Sequence, residues 1–181
     1  MTLKITCAAV AICFAIGLGV TQSQAQAQES TNLVAEHFDW GVYAESNPTE
    51  CWAVSSPVEV ENTSLSDGRT VTVRRDPTYL ITFFRPGAGV SGQLNFTGGY
   101  PFAKGSTVTM QVASDEFQLY TDGEWAWALS PEEDKKIVEA MRRGADAILI
   151  ARSARGNQTK DTFSLRGYTA AVEDAEARCS R

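Results

Sequence analysis

The chain is poor in the residues that usually announce chemistry. Among 181 residues there is one histidine, His37. Zinc sites are built from several His or Cys ligands at workable spacing, so a histidine-based metal centre is excluded. A Ser-His-Asp triad built on His37 would need a nucleophile elbow, and no such motif accompanies it. His37 is therefore expected at the surface or in a first strand. No pair of cysteines is spaced C-x-x-C, which removes a thioredoxin-like redox site. Basic residues are outnumbered, 16 against 22 acidic, giving a formal net charge of -6. A nucleic-acid binder carries a net basic face, so that class is set aside, and an acidic surface also disfavours adhesion to anionic lipid. Long apolar runs are missing after the first 20 residues, so the mature chain should contain no transmembrane segment. No internal repeat is present.

What is there begins with an export segment. Lys4 precedes an uncharged apolar run over residues 5–20, and Ala25-Gln26-Ala27 places small residues where a signal peptidase reads them. Cleavage is expected after Ala27, with Ala25 as the near alternative. The lipoprotein box is poorly matched by Val10-Ala11-Ile12-Cys13. Loss of residues 1–27 leaves 154 residues with a net charge of about -7, enough for one domain with a sizeable core. It also removes Cys7 and Cys13, leaving Cys51 and Cys179. Two cysteines in an exported domain are expected to pair with each other; free thiols or an intermolecular bond are the alternatives. A bond between them would close a loop worth roughly 5 kcal/mol on the chain-entropy model.

Residues 28–37 read as a flexible leader and 38–181 as a single domain. Strand-like runs follow at 38–44, 51–60, 70–74, 79–85, 90–96, 107–113, 116–120 and 124–128, many alternating with period two and separated by turn residues such as Asp67-Gly68 and Asp122-Gly123. At Ser130-Pro131-Glu132-Glu133 the pattern changes to a helix start, with Ser as N-cap, Pro at the first position and Glu at the capping-box position. The helix should run over 131–143, with Arg142 and Arg143 in its last turn and Gly144 ending it. Strands at 147–151 and 162–165 and a helical tail over 168–178 complete the chain. Many short strands with two helices predict a mainly β fold, a β-sandwich, with a closed barrel as the alternative.

Several segments carry a resemblance. Cys51-Trp52-Ala53-Val54, the stretch from Phe96 to Phe102 (FTGGYPF), Gly123-Glu124-Trp125-Ala126-Trp127 and the stretch from Asp161 to Ala171 (DTFSLRGYTAA), together with Trp40, resemble the invasion-associated locus B family of bacterial exported proteins. The likeness spans about residues 38–179, and its Ser-Leu-x-Gly-aromatic segment is the part most shared with the broad family. The chain lacks that family's extra mid-chain cysteines. The resemblance implies an immunoglobulin-like β-sandwich that is periplasmic, outer-membrane-associated or secreted, with an interaction role linked in pathogens to host-cell entry. It brings no catalytic residues, no metal and no cofactor; the partner it implies is an unnamed envelope protein or glycan.

Candidate sites are read beside plainer explanations. Gly87-x-Gly89-x-x-Gly92 spells a dinucleotide fingerprint, but strand rather than helix should follow it, so turn glycines account for it. Trp125 and Trp127 project to one side of a strand, Ala126 and Ala128 to the other. The tryptophans either fill the core or form an aromatic surface for sugar rings, extended by Phe117 and Tyr120. Tyr100 and Phe102 carry the same two readings. Exposure of the tryptophans would favour a carbohydrate- or peptidoglycan-binding module; burial of both would rule it out. Asp115, Glu116, Asp122 and Glu124 raise a carboxylate hydrolase, which needs two carboxyls at a set separation across a cleft. Arg152 to Lys160 forms a basic loop able to meet an anionic glycan or a protein. Asn62, Asn95 and Asn157 each begin a glycosylation sequon, unmodified in the bacterial setting that the resemblance implies.

Overall fold

The computed structural model describes residues 32–47 and 49–180. The expected signal peptide, with Cys7 and Cys13, lies outside the described residues. In chain order the elements are β1 (Leu33–His37), β2 (Trp40–Ser46), β3 (Thr49–Ser55), β4 (Glu59–Ser64), β5 (Tyr79–Arg85), β6 (Val90–Thr97), β7 (Thr107–Val112), β8 (Asp115–Asp122), β9 (Trp125–Trp127), α1 (Pro131–Arg143), β10 (Asp146–Arg152), β11 (Asn157–Ser164) and α2 (Tyr168–Cys179). All strands join one antiparallel ladder in the order β1-β2-β3-β5-β6-β9-β8-β7-β10-β11-β4. The ladder ends at β1 and β4, which do not pair, so it is not a closed barrel.

The sheet folds over on itself about the three-residue β9. Phe96 of β6 meets Phe163 of β11 edge-on at 6.1 Å, though four strands lie between them in the ladder. Trp40 Nε1 of β2 donates to the carbonyl of Ser164 at 2.9 Å. The two halves are thus the layers of a sandwich, as the alternation of the strands predicts. Trp40, Val42, Cys51, Ala53, Leu80, Phe84, Leu94 and Phe96 fill the inner face of the first layer. Val108, Met110, Val112, Leu119, Leu149 and Phe163 fill the second. Among the described residues no helix is long and apolar enough to cross a membrane.

Both helices pack on inner faces. Ser130 Oγ accepts from the Glu133 N–H at 3.2 Å, so α1 starts where its capping residues place it. α1 docks by Ile137, Ala140 and Met141, and its Asp134 carboxylate accepts the N–H of Leu94 at 2.8 Å. That N–H lies on the edge of β6 just past β9, where no strand is left to pair with it. Burial pushes the Asp134 carboxyl up, against the opposing pull of the Leu94 N–H. α2 lies under β2 and β3, with Tyr168, Ala171, Val172, Ala175 and Cys179 buried. Trp40 meets Tyr168 edge-on at 4.8 Å, and Thr82 hydrogen-bonds the Tyr168 hydroxyl at 3.0 Å. Cys51 and Cys179 are joined, with their Cα atoms 5.8 Å apart and 128 positions separating them in sequence.

The strands depart from expectation in three places, and the end of α1 departs in its backbone conformation. Residues 33–37, expected in the leader, form β1, because the strand pairs with β2 and its Val34 and Ala35 pack against the core. The run 51–60 is two strands, since the segment at Pro57 turns the chain out of β3 before β4 begins. Residues 70–74 lie in no strand; Thr70 makes one isolated bridge to Thr63, and the segment then crosses from the second layer to the first. Gly144 ends α1 with extended backbone (φ -80°) rather than a left-handed cap, and a Cβ there would sit 2.5 Å from Val112 Cγ1. Close packing therefore demands that glycine. In the Ser-Leu-x-Gly segment, Gly167 has φ +94°, and a Cβ would fall 1.9 Å from the His37 carbonyl oxygen.

The crossing segment is held by one ion pair. Arg75 donates from both terminal nitrogens to the two oxygens of Asp161, at 2.7 and 2.6 Å, and from Nε to the Gly98 carbonyl at 2.8 Å. Asp161 points inward from β11 and is fully buried; the Arg75 side chain is 8% exposed. Desolvation pushes the Asp161 carboxyl upward, and the Arg75 hydrogen bonds and charge oppose that rise.

Two stability outcomes follow from these ties. Replacing both cysteines by serine should lower the free energy of unfolding by up to about 5 kcal/mol, read from denaturant midpoints of oxidised parent and variant; equal midpoints would contradict it. Arg75→Ala should cost about 3–5 kcal/mol at neutral pH by stranding the Asp161 carboxylate. A carboxyl raised in the folded state contributes stability at low pH and loses it as pH rises through its folded value. Arg75→Ala raises Asp161 further, so its deficit should shrink on acidification; a deficit that grows in acid would contradict this assignment.

Candidate functional site

Strand parity decides which side chains are free to act. In β2, β3, β5 and β6 one set of alternate residues is spent on the inner face, so the other set must point out. That outer set includes Tyr43, Trp52, Val54, Ile81, Phe83, Gln93 and Asn95. Register places Tyr43, Trp52 and Phe83 abreast on three adjacent strands. Tyr43 and Trp52 lie nearly parallel at 6.1 Å, and Trp52 meets Phe83 at 5.5 Å. Arg85 lies over the Phe83 ring at 5.0 Å while pairing with Glu50 at 2.5 Å. The next row sets Ile81, Asn95, Trp127 and Tyr120 abreast, with Trp127 stacked on Tyr120 at 5.3 Å.

Trp125 and Trp127 both stand on this outer face, and Ala126 and Ala128 are in the core. Trp125 is 40% exposed and Trp127 half-buried. Trp125 stands between two hollows, since both are lined by Trp125, Trp52 and Ile81. One, of about 340 Å³, adds Phe83, Arg85, Gln93, Asn95 and Trp127. The other, of about 440 Å³, adds Tyr43, Tyr79, Asp76 and Glu124. The Oδ1 atom of Asn95, buried in the first hollow's lining, has no hydrogen-bond partner among the described residues.

Tyr100 and Phe102 do not join this face. Phe102 is 7% exposed and packs at 6.0 Å from Phe96 and 5.3 Å from Tyr100, so the expectation of Phe102 as a surface residue is corrected. Its bridge to Ser153 and its N–H bond to Gly123 carry the chain inward there. Phe117, offered as an extension of the aromatic patch, has the opposite parity to Tyr120 and faces the core. Tyr100 is half-buried; its hydroxyl pairs with Thr159 Oγ1 at 2.5 Å and its ring lies 5.1 Å from the Arg75 guanidinium. Burial foremost pushes the Tyr100 hydroxyl up to about 12, so it serves as a neutral hydrogen-bonding group.

Tyr100 instead lines a third cavity of about 510 Å³, a size usual for small-ligand sites. Residues 73–76, 99–101 and 153–159 wall it, together with Glu124 from the turn between β8 and β9. The Asp76 N–H donates to the Gly99 carbonyl at 3.0 Å, and the Ala154 N–H to the Pro101 carbonyl at 2.9 Å. Gly99 has φ +70°, and a Cβ there would collide with the Asp76 carbonyl at 2.0 Å. The basic loop read from the sequence contributes Arg155 and Asn157, and Asp76, Gly99 and Glu124 are shared with the neighbouring aromatic hollow.

The remaining candidates fall elsewhere. His37 Nε2 lies 3.2 Å from Asp174 Oδ2 where β1 meets α2; Arg178 first, and His37 with it, hold the Asp174 carboxyl below the usual range. Gly87 and Gly89 belong to a tight turn and Gly92 to a bulge of β6, with strand following and no helix. Of the four acidic residues considered for hydrolysis, only Glu124 lines the cavity; Glu116 is bonded by Gln111 at 3.2 Å at the far turn. Among the described residues no group of three or more His, Cys, Asp or Glu could hold a metal ion. Sequence reading missed Tyr43, Trp52 and Phe83, although the parity of Cys51 against Trp52 could have placed one of them.

No protein-family model matches the chain, and no curated protein matches it. Among solved structures, invasion associated protein B from Bartonella henselae is similar over 83% of this chain and 100% of its own, with a TM-score of 0.54 and 15% sequence identity. At that identity the likeness concerns the fold, and this chain has the fold of invasion associated protein B.

Proposed function

We propose that this is an exported, non-enzymatic binding protein of the invasion-associated locus B type, and that its outer aromatic face binds carbohydrate. The observation that carries the reading is the position of Trp125 and Trp127. Both face outward beside the Tyr43–Trp52–Phe83 row, while the alternate residues of the same strands fill the core. A sugar ring offers an apolar C–H face to an indole and a rim of hydroxyls to amides and guanidinium groups. Gln93, Asn95 and Arg85 stand beside the rings in the first hollow. Export is supported by the N-terminal apolar segment and by a disulfide stable in an oxidising compartment.

Hydrolysis is less well served. A carboxylate acid catalyst needs a carboxyl raised by burial and free to reach substrate. The carboxyls raised by burial here are Asp134 and Asp161, and each is committed to a structural partner.

Cosedimentation with insoluble peptidoglycan and with chitin checks the proposal. The mature protein should pellet with at least one of them. Trp125→Ala, with unchanged circular dichroism, should weaken binding roughly tenfold, equivalent to about 1.4 kcal/mol. Failure of the parent protein to pellet with either polymer, or a variant that binds as tightly as the parent, would reject the reading.

A further inference from the structure

The 510 Å³ cavity next to the aromatic face carries unspent charge of both signs. Arg75 is committed to Asp161, but Arg74, Arg155, Asp76 and Glu124 form no ion pair among the described residues. They are also arranged. Asp76 and Glu124 line both the cavity and the aromatic hollow, whereas Arg74 and Arg155 line the cavity alone. Crossing from the aromatic side, a ligand would meet carboxylates first and guanidinium groups beyond them. The walls are set in advance by the Arg75–Asp161 pair, the Tyr100–Thr159 bond and the close approach of Gly99 to Asp76. Binding therefore needs little rearrangement of the chain.

A free anion would be repelled by the two carboxylates, and a simple cation by the two arginines. A neutral sugar would use neither. The group that satisfies both is zwitterionic, with an ammonium placed nearer the sugar and a carboxylate farther from it. We propose that the ligand of the aromatic face is a glycopeptide: an amino-sugar chain on the Trp125 hollows with a short peptide lying in the cavity, its ammonium toward Asp76 and Glu124 and its terminal carboxylate toward Arg74 and Arg155. This inference rests on the carbohydrate reading of the aromatic face and adds the peptide.

Isothermal titration with three soluble probes separates the two ideas. These are the peptidoglycan disaccharide carrying its tetrapeptide, the same disaccharide without peptide, and tetra-N-acetylchitotetraose. The disaccharide-peptide should bind at least roughly tenfold more tightly than the bare disaccharide, and that advantage should decrease as salt is raised. The Arg74→Ala/Arg155→Ala double variant should lose the advantage and keep the affinity for bare sugar. Both arginines are exposed, so folding is not at stake. Amidating the peptide's terminal carboxylate should reproduce the loss with the parent protein. Equal binding of the two disaccharides would overturn the glycopeptide assignment while leaving the sugar reading standing. So would an advantage that survives the double variant. Binding of none of the three probes would overturn both.

Discussion

Arg75 sits between the two layers of the sandwich and binds both. On one side it neutralises Asp161, an inward-facing carboxylate of β11 that burial alone would push toward its neutral form. On the other it holds the Gly98 carbonyl at the end of β6 and lies over the Tyr100 ring. The irregular segment after β4 therefore has a fixed path, and with it the Asp76 backbone, the Gly99 turn and the cavity they enclose. A buried pair of this kind contributes little net stability compared with an apolar replacement. What it supplies is position: one guanidinium sets the distance between two layers and a crossing strand of chain.

A second constraint acts on the faces. The Cys51–Cys179 bond keeps α2 against the inner face of β3, and Trp40 and Tyr168 complete the contact there. Once the inner face is occupied, parity leaves Trp52, Phe83 and their neighbours no place but the outside. The same disulfide that closes the fold thus accounts for the exposed aromatic surface. Structure and proposed function divide between the two faces of one layer, with Trp40 on the structural side and Trp52, Trp125 and Trp127 on the other.

The fold was largely legible from local signals. Helix α1 was readable residue by residue, because its cap, proline and charged ends all act within one turn of their positions. The Cys51–Cys179 bond was the pairing left once the expected export segment was set aside. The crossing segment was not legible: Val71 and Val73 alternate like a strand, but whether a partner lies alongside is a tertiary fact. The aromatic face was half legible. Trp125 and Trp127 alternate with alanines, so their shared side was readable. In β5 the run Tyr79 to Phe84 is apolar or aromatic at nearly every position, and no periodicity within it says which set faces out. Phe102 failed as a surface candidate because its burial depends on Ser153, more than 50 positions away, and the place of Tyr100 in the cavity wall depends on Thr159, also distant in sequence.

On the carbohydrate reading, the outer aromatic face, and not the inner one, meets ligand. The four tryptophans give it an internal control, because their indole N–H signals can be followed separately in a proton–nitrogen correlation spectrum. During titration with soluble peptidoglycan fragments, the Trp52, Trp125 and Trp127 indole signals should move together and saturably. The Trp40 signal, whose N–H is held by the Ser164 carbonyl in the core, should stay in place. Saturable binding that leaves the three outer indoles unmoved, or that moves Trp40 alone, would contradict the claim.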